Sequence, residues 1–193
     1  DMYCVYLGKA VQTVNPPNGS VGISQLSATG TKDSTTFLRG DNTFASAGGT
    51  MTPAFEAYLS ADQTGISEGT NTKVQFNTEI FDTNNMYDNS TNYRFTPTEA
   101  GKYFCYTFVK CQDTADTITW LKSMFYKNGS IYAEFLDDQN GATLHSRGGN
   151  AIIDFNGSSD YLEVYGAISS SGGGRRFDAG IKSTLFGAFK IIE

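Results

Sequence analysis

The 193-residue sequence contains little of what catalysis and nucleic-acid binding require. It has one histidine, His145, and no Gly-x-Ser-x-Gly element that would place an activated serine beside it. Lys and Arg number 14 against 20 Asp and Glu, and the longest basic run is the pair Arg175-Arg176. The sequence therefore predicts a protein that is not an enzyme and that binds neither nucleic acid nor an anionic membrane. We expect His145 to be an exposed loop residue.

Cysteine is also scarce. Cys4, Cys105 and Cys111 make an odd number, and no Cys-x-x-Cys or Cys/His ligand spacing accompanies them. We interpret them as buried free thiols of a protein that folds in a reducing cytosol. The run Asp137-Asp138-Gln139-Asn140 offers the oxygen ligands that Ca²⁺ prefers, but it lacks the EF-hand spacing. We interpret this run as a solvated loop and predict neither a metal nor a cofactor.

Long apolar runs and repeats are missing as well. No stretch approaches the roughly 18 apolar residues of a membrane-spanning helix, and no heptad pattern or internal repeat occurs. The chain opens at Asp1 without a signal peptide, so we expect it to be part of a longer polypeptide with no membrane insertion.

Phe, Tyr and Gly are plentiful, with 14, 11 and 21 copies. This mixture is typical of a packed core built from short strands and tight turns. The part of the chain before Gly48-Gly49 is poor in hydrophobic residues and cannot bury a core of its own. We therefore predict that residues 1–50 form an extended connector, ordered only by packing against neighbouring chains, and that residues 51–193 form the head.

Eight short runs with period-two alternation follow one another in the predicted head. They are 54–60, 73–81, 102–110, 120–127, 130–136, 150–155, 161–166 and 183–192. Asn128-Gly129 is a strong hairpin signal, because both central residues of a type I′ turn need positive φ, and Asn156-Gly157 gives a second. The pattern predicts an all-β sandwich.

The run 102–110 carries large side chains on both faces. Because side chains alternate along a strand, Phe104, Tyr106 and Phe108 point away from the face that holds Tyr103 and Cys105. A strand with one solvated face does not normally carry three aromatic residues there, so a second layer or another subunit must cover them. The predicted oligomer interface consists of Tyr58, Phe104, Tyr106, Phe108, Phe186 and Phe189.

Several of these residues resemble the signature of C1q-like domains. Phe76, Asp82, Tyr87, Phe95, Gly101 and Tyr103 take the places of that signature, although the spacing from Tyr87 to Phe95 is one residue too long and Cys105 stands where the family prefers Phe. Runs 54–59, 126–129 and 183–189 are similar to the opening strand, central hairpin and closing strand of the family. The resemblance covers roughly residues 53–193 and implies a C1q/TNF-like jelly roll that assembles as a homotrimer.

The first fifty residues resemble a different kind of sequence. Residues 36–45, which follow Val21-Gly22-Ile23-Ser24-Gln25-Leu26, are similar to connectors of bacteriophage tail fibres. This resemblance implies a virion fibre, assembled in the host cytoplasm, whose N-terminal segment contacts other virion proteins.

Topology predicts where such a head would bind a receptor. If the eight strands alternate in direction, the connections 61–72, 111–119, 137–149 and 167–182 lie at the end away from the connector. Binding residues concentrate on loops held by a rigid scaffold, so this distal end is the predicted receptor site. Its polar candidates are Asp113, Asp116, Asp137, Asp138, Asn140, His145, Arg147, Arg175, Arg176 and Asp178.

The sequence thus favours a trimeric, non-enzymatic fibre head of a phage that binds a host-surface glycan or protein. A capsid head-fibre or decoration protein is a close alternative. A secreted animal C1q-like lectin or signalling ligand is another, favoured by Asn-x-Ser/Thr sequons at Asn18, Asn89, Asn128 and Asn156. A glycan depolymerase is a third alternative, and it would need paired carboxylates in a groove.

Overall fold

The structure is a computed structural model, and it describes Tyr3 and residues 18–46, 51–138 and 141–191. The predictions made for Cys4 and Asn140 lie outside these residues. The chain divides into two compact units, Asp1–Gly49 and Thr50–Glu193, and each is considered by itself. Among the described residues no helix is long and apolar enough to cross a membrane.

The described part of the first unit contains a short hairpin, where the sequence predicted only extended chain. A 3₁₀ turn at Ile23–Gln25 precedes strands β1 (Thr36–Leu38) and β2 (Phe44–Ser46), which pair antiparallel. Asp41 accepts a hydrogen bond from the backbone N–H of Thr43 at 3.1 Å, as is typical of an Asx turn. Because so few residues pair, this hairpin is marginal by itself.

Thirteen strands form the second unit, which we call the head. They are β3 (Ala54–Tyr58), β4 (Gln63–Thr64), β5 (Thr72–Lys73), β6 (Thr78–Asp82), β7 (Tyr87–Asp88), β8 (Arg94–Phe95), β9 (Ala100–Asp113), β10 (Ile118–Lys127), β11 (Ser130–Asp137), β12 (Leu144–Asn156), β13 (Leu162–Ser170), β14 (Arg175–Phe177) and β15 (Leu185–Lys190).

The strands build two antiparallel sheets. In sheet I, β9 pairs on one side with β12 and on the other side with both β15 and β14, at different places along its length. Beyond β15 the sheet continues with β3 and then β6, and beyond β14 it continues with β4. In sheet II the order is β11-β10-β13-β8-β7, and β5 also pairs with β13. The prediction of an all-β sandwich is confirmed.

The core between the sheets is rich in aromatic rings. Phe55 stacks on Tyr87 and Phe95 with ring centroids 4.7 and 4.6 Å apart, and Phe95 meets Tyr103 edge to face at 5.5 Å. Phe76 is also fully buried. The aromatic positions that carried the resemblance to C1q-like domains therefore form the centre of the core.

Two details of the strand prediction are wrong. The run 73–81 is two strands in different sheets, since β5 pairs in sheet II and β6 pairs in sheet I. The Asn156-Gly157 turn does not close a hairpin, because β12 and β13 belong to different sheets. Asn128-Gly129 does close a hairpin, between β10 and β11, with φ of 52° and 79° at the two residues.

Candidate functional surfaces

The four predicted connections meet at one end of the head, which we call the distal end. Strand register shows this directly, because Leu144 and Arg176 are the partners of Gln112, and Arg176 also pairs with Thr64. The first residue of β3, Ala54, lies at the opposite end, level with Phe104. The structure therefore brings the predicted receptor-site loops together, and their geometry shows which side chains are free to contact a ligand.

Asp113 is buried although it lies near the end of the head. Its carboxylate accepts hydrogen bonds from the Ser170 hydroxyl and from the backbone N–H groups of Ala115 at 2.8 Å and Gly174 at 3.1 Å. Burial by itself would raise the pKa of Asp113, but these bonds outweigh it and lower the pKa below its usual value. Asp113 therefore holds the distal loops in place and has no surface for a receptor.

Arg175 and the glycines of the 171–174 loop complete this arrangement. The Arg175 guanidinium donates to the carbonyl oxygens of Ile66 at 3.0 Å and Ser170 at 2.9 Å, and also to that of Gly172. A Cβ at Gly172 would lie 2.6 Å from the Asp113 carboxylate, so this loop passes over Asp113 only because it lacks a side chain there. The Gly-Gly-Gly-Arg segment therefore holds the distal loops together through these hydrogen bonds.

Arg176 and Asp178 form a second polar cluster at the distal end. Arg176 donates from Nε to Asp178 at 2.8 Å and from Nη2 to Gln112 at 2.6 Å, and its Nε lies 3.4 Å from Asp62. Lys110 approaches the other oxygen of Asp178 at 3.4 Å. Because Asp178 is buried, this cluster joins β14 to β9 and contributes mainly to rigidity.

His145 is not an exposed loop residue, so that prediction is wrong. It lies on β12 opposite Cys111, with its side chain buried and its Nδ1 3.2 Å from a carboxylate oxygen of Asp137. The alternation of β12 directs this side chain inward, and the predicted run 150–155 began too late to include His145. The pair links β12 to the end of β11.

The remaining predicted receptor residues are more accessible. Asp138 and Arg147 are exposed, Arg147 lying on β12, and Asp116 is half-buried. Asp116 accepts hydrogen bonds from Ser171 Oγ and from the Thr117 backbone N–H at 2.7 Å. Among the described members of the predicted set, Asp138 and Arg147 are exposed, while Asp137, Arg175 and Arg176 are half-buried like Asp116.

The outer face of sheet I carries the aromatic residues predicted for the oligomer interface. Phe104 meets Phe189 with ring centroids 5.4 Å apart, and Tyr106 donates a hydrogen bond to Glu56. Phe108 is 36% exposed, and Tyr58 lies one strand further, across β15. We call these five aromatic residues, Tyr58, Phe104, Tyr106, Phe108 and Phe189, the aromatic face.

Phe186 does not belong to this face. It is fully buried and meets Phe55 edge to face at 4.9 Å inside the core. Leu185 and Phe186 are consecutive on β15, and the partner of Leu185 on β9 is Phe108. Alternation therefore places Leu185 on the outer face and turns Phe186 inward.

A second exposed apolar surface lies where the edge strands of the two sheets run side by side. Ile131 and Tyr132 on β11 and Ile152 on β12 are each about half exposed, and the Tyr132 hydroxyl donates to the Ile152 carbonyl oxygen at 3.3 Å. We call this surface the β11/β12 edge. It is an exposed edge with apolar side chains, which natural proteins normally cover.

The outer face of sheet II has a different chemistry, and the sequence analysis missed it. Tyr126 on β10 and Tyr165 on β13 stack with centroids 4.0 Å apart, and Asn71 donates to the Tyr126 hydroxyl at 2.7 Å. Lys73 lies 2.6 Å from Glu163. The outward alternation of Tyr126 with buried Phe125 was the available signal. We call these five residues, Asn71, Lys73, Tyr126, Glu163 and Tyr165, the tyrosine patch.

Cys105 and Cys111 are buried free thiols, as predicted. Burial raises the pKa of both thiols, that of Cys111 to about 12. Among the described residues no group of three or more His, Cys, Asp or Glu side chains is arranged to hold a metal.

Comparison with known proteins supports the fold. No protein-family model and no curated protein matches the chain. Among solved structures, murine APRIL is similar with a TM-score of 0.53 at 10% identity, over 72% of this chain and 98% of that one. Eiger TNF from S. frugiperda has a TM-score of 0.55 at 9% identity, over 72% and 91%. Identities this low show a shared fold alone. The head is a C1q/TNF-like jelly roll, and that prediction is confirmed.

Proposed function

We propose that the chain is a non-enzymatic fibre head of a bacteriophage virion, trimeric, which binds a host-surface receptor. The single observation that carries the trimer is the aromatic face, where one exposed and four half-buried aromatic rings lie together on the outer side of sheet I. A monomer of this size would leave that surface in water, whereas a second copy would bury it.

The aromatic face and the β11/β12 edge are complementary surfaces at different places on the same head. Their pairing is heterologous, because the edge of one copy packs on the face of the next, and such contacts close into a ring when the rotation permits. Three copies related by a threefold axis satisfy both surfaces at once. This is the assembly that the resemblance to C1q-like domains implies.

The distal end supports the receptor-binding part of the proposal. Its loops are fixed by Asp113, Arg175 and Arg176, so the exposed residues Asp138 and Arg147 are presented on a rigid support. Three copies of a weak site would reach high avidity without further contacts. The connector-like residues 36–45 support a place on a virion, and a capsid decoration protein would use the same trimer.

The structure gives less support to a secreted animal protein. Two of the sequon asparagines are engaged through the amide nitrogen that a glycan would occupy. Asn128 Nδ2 donates to Asp160 at 2.8 Å and Asn156 Nδ2 donates to Ser159 at 2.8 Å. These residues are explained by turn chemistry. A deglycosylation shift on a gel after expression in animal cells would revive that alternative.

The mass of the purified chain in solution, measured by light scattering, tests the proposal. We expect three times the monomer mass for the whole chain and for a form lacking residues 1–50. Phe104→Glu should give a monomer, because it would bury a charge in the interface, whereas Asp116→Asn in the connection between β9 and β10 should remain a trimer. A monomeric wild-type chain would refute the trimer.

A further inference from the structure

We propose that the tyrosine patch on the outer face of sheet II is a binding site for neutral oligosaccharides. The inference rests on the proposed function, since it assigns a surface and a ligand class to the same host-binding head. It moves the glycan contact away from the distal loops, where the sequence analysis placed it.

Two tyrosine rings provide the apolar part of the site. Tyr126 and Tyr165 are half-buried and stack at 4.0 Å with an angle of 28° between ring planes. Tyr165 is held between Tyr126 and Lys73, whose Nζ lies 5.8 Å from its ring centroid. Because both faces of the Tyr165 ring are covered, the face of Tyr126 that points away from Tyr165 is the surface against which the C–H groups of a pyranose ring would pack. A ring already fixed in place loses little entropy when a ligand binds.

Polar groups around the rings provide hydrogen bonds for sugar hydroxyls. The exposed Asn71 amide and the hydroxyls of Tyr126 and Tyr165 are the polar groups that a ligand can reach, while Glu163 is buried and fixes the Tyr165 hydroxyl at 3.5 Å. Lys73 is fixed by Glu163 at 2.6 Å and by the Asn92 carbonyl oxygen at 3.1 Å. A small apolar platform with a few oriented polar groups is what a specific small-ligand site needs.

The charge balance of the surface selects a neutral ligand. Lys73 is paired with Glu163, and Lys122 further along the same face is paired with Glu134 at 3.0 Å. An acidic glycan would meet no unpaired cation in the patch.

The tyrosine patch lies away from one of the two proposed trimer surfaces and next to the other. The outer face of sheet II is the opposite side of the sandwich from the aromatic face, so burying the aromatic face does not cover the patch. The patch borders the β11/β12 edge, because Tyr126 pairs with Ile131. Tyr126 pairs with Glu163, which pairs in turn with Arg94, at the end of β10 that is far from the 111–119 loop. The two candidate receptor sites can therefore be mutated independently.

The test is a printed array of neutral and acidic glycans probed with the labelled whole chain, followed by titration with the best-bound neutral hexasaccharide. We expect neutral glycans to bind, Tyr126→Ala to weaken binding about tenfold or more, and Tyr126→Phe to weaken it less, because the ring is kept. Asp116→Ala probes the alternative glycan site at the distal end, and Glu99→Gln, an exposed residue outside both candidate sites, is the control that should bind as the wild type does. Thermal melts and light scattering verify that each variant is a folded trimer.

Three outcomes would overturn the inference. If Tyr126→Ala binds normally and Asp116→Ala does not, the glycan site is at the distal end and the proposed function stands without the patch. If only acidic glycans bind, the ligand class is wrong. If a trimeric wild-type chain binds no glycan, the patch is not a glycan site, and failure of the proposed trimer itself would appear separately as a monomer mass.

Discussion

Replacing Asp113 with alanine tests whether this carboxylate holds the distal loops in place. The substitution leaves the backbone N–H groups of Ala115 and Gly174 and the Ser170 hydroxyl without their shared acceptor. Ala115 is exposed and Gly174 is half-buried, so water can replace part of what these two N–H groups lose, and the Ser170 hydroxyl is free to rotate to another acceptor. We therefore expect Asp113→Ala to lower the free energy of unfolding by about 2–3 kcal/mol, which is the loss of hydrogen bonds to a charged group.

Asp113→Asn separates charge from hydrogen bonding. The amide keeps one oxygen that accepts from the two backbone N–H groups but loses the charge assistance, so the expected loss is about 1–2 kcal/mol. The sign of the pH dependence follows from the lowered pKa of Asp113. Its contribution is fully present above the usual Asp pKa of about 3.9 and is lost as the pH falls through the folded-state value. The difference between wild type and Asp113→Asn should therefore be constant from about pH 5 to 7 and shrink below about pH 4.

Urea unfolding followed by circular dichroism at one fixed protein concentration measures both effects, since the stability of an oligomer depends on concentration. Asp138→Ala is the control, because Asp138 is an exposed acidic residue at the same end of the head. If Asp113→Ala lowered the free energy of unfolding by less than about 1 kcal/mol, or by no more than Asp138→Ala does, the structural role of Asp113 would be refuted. In that case Asp113 would return to the set of candidate receptor residues.

Three further predictions concern the core. Phe95→Ala removes a ring that meets Phe55, Tyr103 and Phe155, and it should cost about 3–5 kcal/mol in the same urea assay; a loss below about 1 kcal/mol would contradict the core described above. Gly149→Ala should lower the melting temperature, because a Cβ there would lie 2.1 Å from the Phe135 ring, whereas Gly173→Ala, with no atom within 4 Å, should not. Burial raises the pKa of the Cys105 thiol, so iodoacetamide at pH 8 should label Cys105 only after unfolding; rapid labelling of the folded head would show that this strand opens.

The sequence was informative wherever one face of a strand is fully buried. Period-two alternation correctly assigned Tyr103, Cys105 and Val109 to the core, since a one-residue shift would turn every one of them outward. It failed at Phe186 because the neighbours Leu185, Phe186 and Phe189 are all apolar, and such a run has no alternation to follow. The pairing of β15 with β9 determines which face of the sheet Phe186 occupies, because it places Phe186 opposite Thr107.

The candidate site was harder to predict, for a physical reason. Acidic and basic residues in predicted loops look alike in a sequence, whether they contact solvent or each other. Asp113, Arg175, Arg176 and Asp178 were grouped correctly at one end, but their bonds run between segments about 60 residues apart, which no local pattern reveals. His145 was misplaced for the same reason, because β12 begins six residues earlier than the predicted strand.

The two outer faces of the sandwich differ in a way that bears on their roles. On sheet I the aromatic face has one carboxylate near its centre, Glu56, and the Tyr106 hydroxyl already bonds it. If another subunit covered this face, few polar groups would therefore be left without a hydrogen-bond partner, and a permanent interface needs this condition. On sheet II the polar groups are more numerous, since the Asn71 amide, the Tyr126 and Tyr165 hydroxyls and the Lys73 ammonium use only part of their hydrogen-bonding capacity on one another and on buried Glu163. A protein that covered them permanently would remove the water that satisfies the rest. A sugar carries hydroxyl groups that can serve as these hydrogen-bond partners, and it binds reversibly, so the polar groups return to water when it dissociates. The distribution of polar groups by itself thus favours assembly through sheet I and reversible recognition through sheet II.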